Sequence, residues 1–385
     1  MNNKKFLKIV FGLCFFISFA IVSINYIVNP YGVYRTIDFF PNKPEQDKNI
    51  RLVKATKISK IKPVSIVLGT SRTEFGYDPN HKYFIKPSYN LGLSAASLYE
   101  IKKYLEHTIA QGNLKKVLLV VDWISFNNEK MIKSEDFESY FEEDNIYKQL
   151  FSIDLFKSSL NTIRKQKTKN SYLENGQKDF YLNQEKINKG GGHLQVMKEK
   201  EKVYYTKERY KYNSNIYQDT RKYSFDDFKN ILELCYKNDI VLDIVMGPSH
   251  VRQWEAFDYY QNIETWYEWK KDIVLFVEKI AKDNNKGPFR IMDFSVYHEF
   301  TTEIIPTNSK EKMKYYWESS HYKNELGRVV LDRLAGISDN KDFGIELNSQ
   351  NINEHIQNLR NSRNKFIDTK AYREEVFNDS LILKK

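Results

Sequence analysis

The stretch Val64–Glu74 reads Val-Ser-Ile-Val-Leu-Gly-Thr-Ser-Arg-Thr-Glu. Its first five residues are mostly apolar or β-branched and lead into Gly69, a pattern that predicts a buried strand ending in a sharp turn. Ser71 follows that turn directly. Because open parallel sheets bind ligands at the carboxyl ends of their strands, Ser71 is the candidate nucleophile. The alternative is that Ser71 only caps the helix that follows.

Strands and helices alternate along the chain on the carboxyl side of this stretch. Strands alternating with helices of this length predict an α/β fold whose parallel sheet is covered on both faces. Apolar runs predict further strands at Ser88–Leu91, Val117–Val121, Ile240–Met246 and Phe289–Asp293. Helical spacing predicts helices at Leu98–Ile109, Phe225–Asn238, Ile263–Asn284 and Lys323–Leu334.

The amino terminus has the pattern of a membrane anchor. Lys4, Lys5 and Lys8 precede an apolar stretch from Ile9 to Val28, about 20 residues, which is enough to cross the hydrocarbon core. The positive charges predict an amino end in the cytoplasm and a chain that continues outside. A cleaved signal peptide is the alternative, but the long run without an Ala-x-Ala site favours a signal anchor.

These patterns predict how the chain is organised. A charged, tyrosine-rich and weakly periodic stretch predicts a mostly helical insertion in the α/β domain, with an amphipathic helix at Ile153–Ile163. The polar end of the chain contains one further predicted helix, at Ile352–Phe366. The predicted parts are 1–28 (cytoplasmic end and anchor), 29–62 (linker), 63–335 (α/β domain, insertion at about 127–222) and 336–385 (polar tail).

Composition argues against several classes of function. The chain has two cysteines, Cys14 and Cys235, and no Cys/His cluster with zinc spacing, so neither a metal site nor a disulfide is predicted. Its 60 basic residues outnumber its 50 acidic ones, but both kinds are spread along the chain. A nucleic-acid partner is therefore not expected.

Glu318 and His321 are the candidate partners of Ser71. They lie three positions apart, a spacing that can place both side chains on one side of a turn. A carboxylate that holds one imidazole nitrogen leaves the other nitrogen to take a proton from a serine. A distance of about 3 Å between Ser71 Oγ and His321 would support this arrangement. The alternatives are a surface carboxylate and an exposed loop histidine.

Other groups at the same predicted edge of the sheet would contact a substrate. The backbone N–H groups of Ser71 and Ala95, the latter in a loop of small residues, would stabilise an oxyanion. Arg72 has an alternative use in an ion pair with Asp122 or Glu74, and His250 has one as a packed loop residue. The candidates for substrate binding are Arg72, Asn90, Gly92, Asp122 and His250.

Three blocks of the sequence resemble the SGNH/GDSL hydrolase superfamily and occur in its order. They are Gly69-Thr70-Ser71-Arg72, Asn90-Leu91-Gly92-Leu93-Ser94-Ala95 and Glu318-Ser319-Ser320-His321. By this resemblance Ser71 matches the nucleophile, Ala95 the oxyanion glycine and His321 the base, with Glu318 in place of an aspartate. The resemblance covers about 64–125 and 225–335. It implies a three-layer α/β/α sandwich around a parallel sheet, and serine esterase or acyltransferase chemistry without a cofactor.

The anchor followed by such a domain is also similar to membrane-anchored SGNH-like proteins that modify cell-envelope polymers. This similarity implies a single-pass protein of the bacterial cytoplasmic membrane whose carboxyl-terminal domain is extracytoplasmic. The partners it implies are the membrane, an acylated glycan or acyl donor, and a membrane protein of envelope biosynthesis.

Two functions remain open at this point. The first is a serine acyl-ester hydrolase or O-acyltransferase acting on a cell-envelope glycan. The second is a catalytically weak SGNH-like binding or assembly protein in an envelope polysaccharide pathway. The second is favoured by Glu318 in place of an aspartate and by the end of the strand Val117–Val121. The resembled family implies an oxyanion asparagine there, but Asp122-Trp123 stands in its place, and Asn127 and Asn128 lie several residues further on.

Overall fold

A six-stranded sheet lies at the centre of this α/β fold. The structure is a computed structural model, and it describes residues 3–127, 137–142, 145–179, 181–204, 215–260 and 262–369. The strands are β1 (Ser65–Gly69), β2 (Ser88–Gly92), β3 (Lys116–Val121), β4 (Val241–Met246), β5 (Arg290–Asp293) and β6 (Ile345–Leu347). Their order across the sheet is β2-β1-β3-β4-β5-β6.

The sheet is mostly parallel. Strands β1 to β5 pair in parallel with their neighbours, and β6 pairs antiparallel with β5. The five predicted strands are confirmed to within one residue at each end. The sequence does not predict β6, because its three residues include two exposed ones and are too few to establish a period.

The helices connect these strands in chain order. The helices predicted from apolar spacing in the body of the chain are confirmed to within one residue at each end. These are the predictions at Leu98–Ile109, Ile153–Ile163, Phe225–Asn238, Ile263–Asn284, Lys323–Leu334 and Ile352–Phe366. The helices are α1 (Asn3–Val28), α2 (Ile50–Ile61), α3 (Ser71–Gly76), α4 (Leu98–Ala110), α5 (Trp123–Phe126), α6 (Asn145–Lys148), α7 (Ile153–Arg164), α8 (Tyr181–Lys189), α9 (His193–Tyr204), α10 (Ser224–Lys237), α11 (Val251–Tyr260), α12 (Ile263–Asp283), α13 (Asn324–Leu334) and α14 (Ile352–Ile367).

The chain divides into two compact units. One contains Met1–Ile61 and Ser134–Leu173, and the other contains Lys62–Lys133 and Glu174–Lys385. The predicted linker 29–62 includes α2, which lies in the first unit and buries Leu52, Val53 and Ile58. Lysines and an arginine interrupt the apolar positions of α2, which is why the sequence suggests a polar connection. The insertion predicted at 127–222 contributes to both units, and parts of it lie outside the described residues.

Helix α1 is long and apolar enough to cross a membrane, as predicted for residues up to Val28. Its most apolar window of 18 residues has a mean hydropathy of 2.4, and none of that window is buried. Lys4, Lys5 and Lys8 occupy its first turns.

The predicted tail from 336 onward is part of the second unit as far as it is described. It supplies β6, and α14 buries Ile352, Ile356 and Leu359. His355 Nε2 lies 2.9 Å from Asp293 Oδ2 at the end of β5. These contacts make residues 345–367 part of the fold; residues 370–385 lie outside the described part.

Candidate active site

Ser71 lies where β1 meets α3. Gly69 ends the strand with a φ of +153°, and a Cβ there would lie 2.1 Å from Thr73 Oγ1, so the turn has no room for a side chain. Thr70 caps α3, and its hydroxyl accepts a hydrogen bond from the Arg72 N–H at 3.4 Å. Ser71 is the first residue of the helix. Its N–H therefore has no carbonyl partner within the helix.

The end of β2 packs against the same turn. The Leu93 N–H donates to the Gly69 carbonyl at 3.0 Å. A Cβ on Gly92 would lie 2.4 Å from the backbone nitrogen of Glu74, so glycine permits this close approach of β2 to α3. Ala95 follows β2 with a φ of +52°, a left-handed conformation that favours glycine.

Asn90 is fully buried, and its side chain bonds within the protein. Its Nδ2 donates to the carbonyls of Thr73 at 3.0 Å and Tyr77 at 2.8 Å, and its Oδ1 accepts from the Gly92 N–H at 2.8 Å. These bonds tie β2 to the carboxyl end of α3. The structure thus gives Asn90 and Gly92 a part in positioning the Ser71 helix, whereas the sequence suggests contact with substrate.

A closed loop carries Glu318 and His321. The Trp317 N–H donates to the His321 carbonyl at 2.9 Å, and the His321 N–H donates to the Glu318 carbonyl at 3.2 Å. Tyr316 and Tyr322 pair across the base of this loop in an antiparallel bridge. The loop therefore holds the carboxylate and the imidazole on one side, as their spacing predicts.

Ser71, His321 and Glu318 form one continuous chain of hydrogen bonds. Ser71 Oγ lies 2.7 Å from His321 Nε2, and His321 Nδ1 contacts Glu318 Oε1. The Ser320 hydroxyl donates to Glu318 Oε1 at 3.1 Å, and the Ser320 N–H donates to Oε2 at 3.1 Å. An ionised carboxylate can only accept, so His321 carries its proton on Nδ1 and offers Nε2 to the Ser71 hydroxyl.

Glu318 is 4% exposed and remains ionised. Burial raises its pKa, but the electrostatic attraction of the His321 ring, the hydrogen bond from that ring and those from Ser320 outweigh burial and bring the pKa down to about 2. The carboxylate is therefore available to orient the imidazole over the whole range of physiological pH.

This lowered pKa predicts a pH-dependent stability. The Glu318 pKa falls from 4.5 to about 2 on folding, a difference that corresponds to about 3 kcal/mol. The contribution is fully present above pH 4.5 and is lost as the pH falls through about 2. Denaturant titrations of the wild type and Glu318→Gln from pH 2 to pH 7 should give free energies of unfolding that converge at the acid end. A constant difference across that range would contradict the assigned ionisation.

Tyr322 packs between the helix of Ser71 and the end of β4. Its side chain is fully buried, and it touches Gly76 in α3 and Gly247 after β4. A Cβ on Gly76 would lie 2.2 Å from Tyr322 Cε2, and one on Gly247 would lie 2.8 Å from the Tyr322 hydroxyl oxygen. Because His321 precedes Tyr322 in the chain, this packing sets the separation of His321 from Ser71.

Gly76→Ala should therefore destabilise the fold. The added methyl must displace the buried ring, and overpacking of this kind costs about 1–3 kcal/mol. Gly287→Ala is the matched control, because a Cβ there has no atom within 4 Å. Denaturant unfolding of both variants measures the difference. Equal stability of the two variants would show that Tyr322 does not fix the loop.

Arg72 and Asp122 form a partly buried ion pair beside Ser71. Arg72 Nη1 contacts one oxygen of Asp122, the Thr70 hydroxyl donates to the other, and Asp122 is 4% exposed. Arg72 Nε also donates to the Ser320 carbonyl at 3.0 Å. Arg72 thus forms the ion pair with Asp122 that the sequence offers as the alternative to substrate binding. The pair compensates the Asp122 charge next to Ser71 and joins the end of β3 to the loop of His321.

His250 is a packed loop histidine, the alternative noted for it from the sequence. It is 1% exposed, its Nε2–H donates to the Glu303 carbonyl at 2.7 Å, and its Nδ1 accepts from the Arg252 N–H at 3.1 Å. Burial lowers the pKa of His250 to about 4, so the ring is neutral. Its backbone N–H donates to the Ser319 carbonyl at 3.0 Å, so His250 also supports the loop of His321.

Two buried residues of α9, His193 and Glu201, form hydrogen bonds near the loop of His321. No pattern in the sequence predicts this role for either residue. His193 Nδ1–H donates to the Trp317 carbonyl at 3.0 Å, and His193 Nε2 accepts from the Met313 N–H at 3.2 Å. Glu201 Oε1 and Oε2 accept from Arg252 Nε at 2.8 Å and 3.0 Å, and both side chains are at most 2% exposed. Part of the insertion therefore supports the segment that leads into the loop of His321.

Glu201→Gln should cost about 3–5 kcal/mol in the free energy of unfolding, because it removes the charge that Glu201 places against the buried guanidinium of Arg252. Glu199→Gln removes an exposed carboxylate from the same helix and should change stability by less than about 0.5 kcal/mol. Denaturant titration of the two variants tests this. Similar values for both would contradict the buried pair.

A small cavity of about 30 Å³ adjoins the Arg72–Asp122 pair. Tryptophans form much of its wall, and each of them is at least nine-tenths buried. A space of this size holds little more than one water molecule. The aromatic residues lining it are Trp123, Trp254, Phe257, Trp266 and Trp269.

Neither a metal-binding cluster nor sequence comparison assigns a chemistry to the site. Among the described residues no group of three or more His, Cys, Asp or Glu side chains could hold a metal ion. Comparison with protein-family models and with curated proteins finds no match to this chain. Asn127, the described asparagine nearest to the end of β3, is fully buried after α5; Asn128 lies outside the described residues.

Proposed function

We propose that the protein is a membrane-anchored, extracytoplasmic serine acyl-ester hydrolase or O-acyltransferase of the SGNH type, acting on a cell-envelope glycan. The observation that carries this proposal is the relay from Ser71 Oγ to His321 Nε2 at 2.7 Å and from His321 Nδ1 to the buried Glu318 carboxylate. A nucleophile, a base and a group that orients the base are the parts that acyl transfer through serine requires.

In the first half-reaction, His321 Nε2 takes the Ser71 proton while Oγ attacks the carbonyl carbon of the acyl ester. The carbonyl oxygen becomes an oxyanion as the new C–O bond forms. Collapse of this intermediate breaks the ester bond to the leaving alcohol, which receives the proton from His321. Glu318 stabilises the imidazolium between these two transfers. The product is an acyl ester of Ser71.

In the second half-reaction, His321 takes a proton from water or from a sugar hydroxyl, whose oxygen attacks the acyl-Ser71 carbonyl. The bond to Ser71 Oγ breaks, and His321 returns the proton to that oxygen. Water gives a carboxylic acid and a hydroxyl of the glycan gives a new ester, so the acceptor alone separates hydrolase from transferase.

The oxyanion would be held by backbone N–H groups. Ser71 begins α3, and Ala95 follows the neighbouring strand with the left-handed backbone of a glycine position. The register of β1 and β2 pairs Gly69 with Gly92, so the two turns leave the sheet side by side. Donors preorganised at this point are worth about 3–4 kcal/mol each to the transition state.

The remaining parts of the proposal concern architecture and location. The mostly parallel sheet with the nucleophile after β1 supports a three-layer α/β/α sandwich of the SGNH kind. The apolar helix α1, preceded by lysines, supports a single-pass anchor in the bacterial cytoplasmic membrane with the amino end inside. A glycan or acyl donor at the outer surface is the substrate class that fits this location.

A catalytically weak binding or assembly protein is the second candidate. It is favoured by the end of β3, where Asp122 is committed to Arg72 and Thr70 and offers no side-chain donor to an oxyanion. This candidate requires glycan binding without turnover of an acyl group.

The experiment that separates the two candidates uses the full chain in detergent micelles and an O-acetylated bacterial polysaccharide. Released acetate and transferred acetyl groups are followed by NMR for the wild type, Ser71→Ala and the control Ser349→Ala, whose serine is exposed. Turnover by the wild type and the control, but not by Ser71→Ala, supports the enzyme. Equal binding of the polysaccharide by all three, with no turnover, supports the binding protein.

A further inference from the structure

The apolar part of α1 whose residues are all exposed is too short to cross a bilayer alone. Residues of α1 are exposed up to Phe19, and burial against other parts of the first unit begins at Ala20. From Phe6, the first apolar residue of α1, to Phe19 the helix rises about 20 Å. The hydrocarbon core is about 30 Å thick. An α1 that spans the membrane must therefore also place the covered segment from Ala20 to Val28 in or at the edge of the hydrocarbon.

A short segment of the chain covers this end of α1. Asn25 is fully buried, and its Nδ2 donates to the carbonyl of Leu150 at 2.8 Å and to that of Ser152 at 3.3 Å. The Ser159 hydroxyl of α7 donates to Asn25 Oδ1 at 2.8 Å. These bonds fix Gln149–Ile153, which we call the collar, at the level of Asn25 on the helix axis.

The outward side chains of the collar are apolar. Phe151 lies between the two residues whose carbonyls accept from Asn25, and it is 67% exposed; Ile153 is 55% exposed. Tyrosines lie near the same end of α1: Tyr34 packs against Tyr26 and Tyr147, with ring centroids 6.1 Å and 5.9 Å apart. Aromatic side chains with a polar tip are typical of the boundary between headgroups and hydrocarbon.

We propose that the collar is inserted into the outer leaflet, where Phe151 and Ile153 contact lipid acyl chains next to α1. The occupant of this surface is thus the bilayer itself. Three observations carry the proposal. The exposed apolar part of α1 is shorter than the hydrocarbon core, the hydrogen bonds of Asn25 fix the position of the collar along α1, and the side chains exposed at that position are apolar. It rests on the membrane anchor of the proposed function and is independent of the proposed acyl chemistry.

The test places a tryptophan at the collar and measures its quenching by lipid. The full chain carrying Phe151→Trp is reconstituted at one copy per nanodisc, in phospholipids brominated either near the headgroup or near the chain end. Wild-type protein in the same lipids supplies the background of the five native tryptophans. We expect quenching above that background, and stronger quenching by bromine near the headgroup than by bromine near the chain end.

Phe19→Trp is the matched control, because Phe19 is 62% exposed on α1 itself. It should be quenched more by bromine near the chain end. If Phe19→Trp is quenched and Phe151→Trp is not, the collar proposal is overturned and the anchor stands. If neither is quenched, both the anchor and the collar fail. Acyl turnover by the same preparations is read separately, so failure of the chemistry is distinguishable from either result.

Discussion

Ser71→Ala is expected to abolish acyl-ester turnover, with a fall in kcat of about 10⁶-fold where the acyl-enzyme forms at serine. The hydroxyl that donates to His321 Nε2 at 2.7 Å is the bond-forming atom of the proposed mechanism, and alanine supplies no substitute. The residual rate should be that of direct attack by water on the bound ester, assisted only by the oxyanion donors and by substrate binding. Hydrolysis of p-nitrophenyl acetate by the full chain measures the effect.

Ser349→Ala is the control for Ser71→Ala, because its hydroxyl is exposed on the turn before α14. It should leave kcat unchanged. Both variants should have free energies of unfolding within about 1 kcal/mol of the wild-type value. A Ser71→Ala protein that retains the wild-type rate would show that turnover does not pass through this serine.

Glu318→Gln is expected to lower kcat by about 10⁴-fold, the loss found when a triad carboxylate becomes an amide. The carboxylate accepts from His321 Nδ1 and so keeps Nε2 free of a proton. A glutamine can present its amide N–H₂ to Nδ1, which moves the imidazole proton to Nε2, where it blocks proton transfer from Ser71. KM should change much less than kcat, because the ground-state surface is nearly the same.

Glu318→Asp is the matched control, since it retains the carboxylate on a shorter side chain. It should keep far more activity than Glu318→Gln, and the ring-nitrogen signals of His321 in NMR should report the same tautomer as in the wild type. Equal losses in the two variants would indicate that Glu318 acts only through its size and packing.

The sheet could be predicted because buried parallel strands appear as short apolar runs. β1 to β5 have this pattern, and their carboxyl ends bring Ser71, Ala95 and Asp122 to one edge. The pair Ser71 and His321 could be predicted because its signals are also local in the sequence. They are the turn after β1 and the spacing of Glu318 and His321. Their approach to 2.7 Å follows from the fold.

Other parts of the site depend on contacts between residues far apart in the chain. His193 and Glu201 lie on α9, in a charged region of weak period. His193 bonds the carbonyl of Trp317, 124 residues away, and Glu201 pairs with Arg252, 51 residues away. Asn90 and His250 are polar residues at strand ends, a position that suggests contact with substrate. The side chains of both instead form hydrogen bonds with backbone groups of the protein. Which polar groups face inward is a tertiary property that local pattern does not contain.

The most direct test of the central claim is covalent labelling of the full chain by a fluorophosphonate, followed by peptide mapping. The proposed activated serine predicts one phosphonyl adduct, on Ser71, in the wild type and in Ser349→Ala. It predicts no adduct in Ser71→Ala and a strongly reduced one in His321→Ala. If the wild-type protein is labelled no better than Ser71→Ala, and denaturant unfolding shows that it is folded, the account is contradicted.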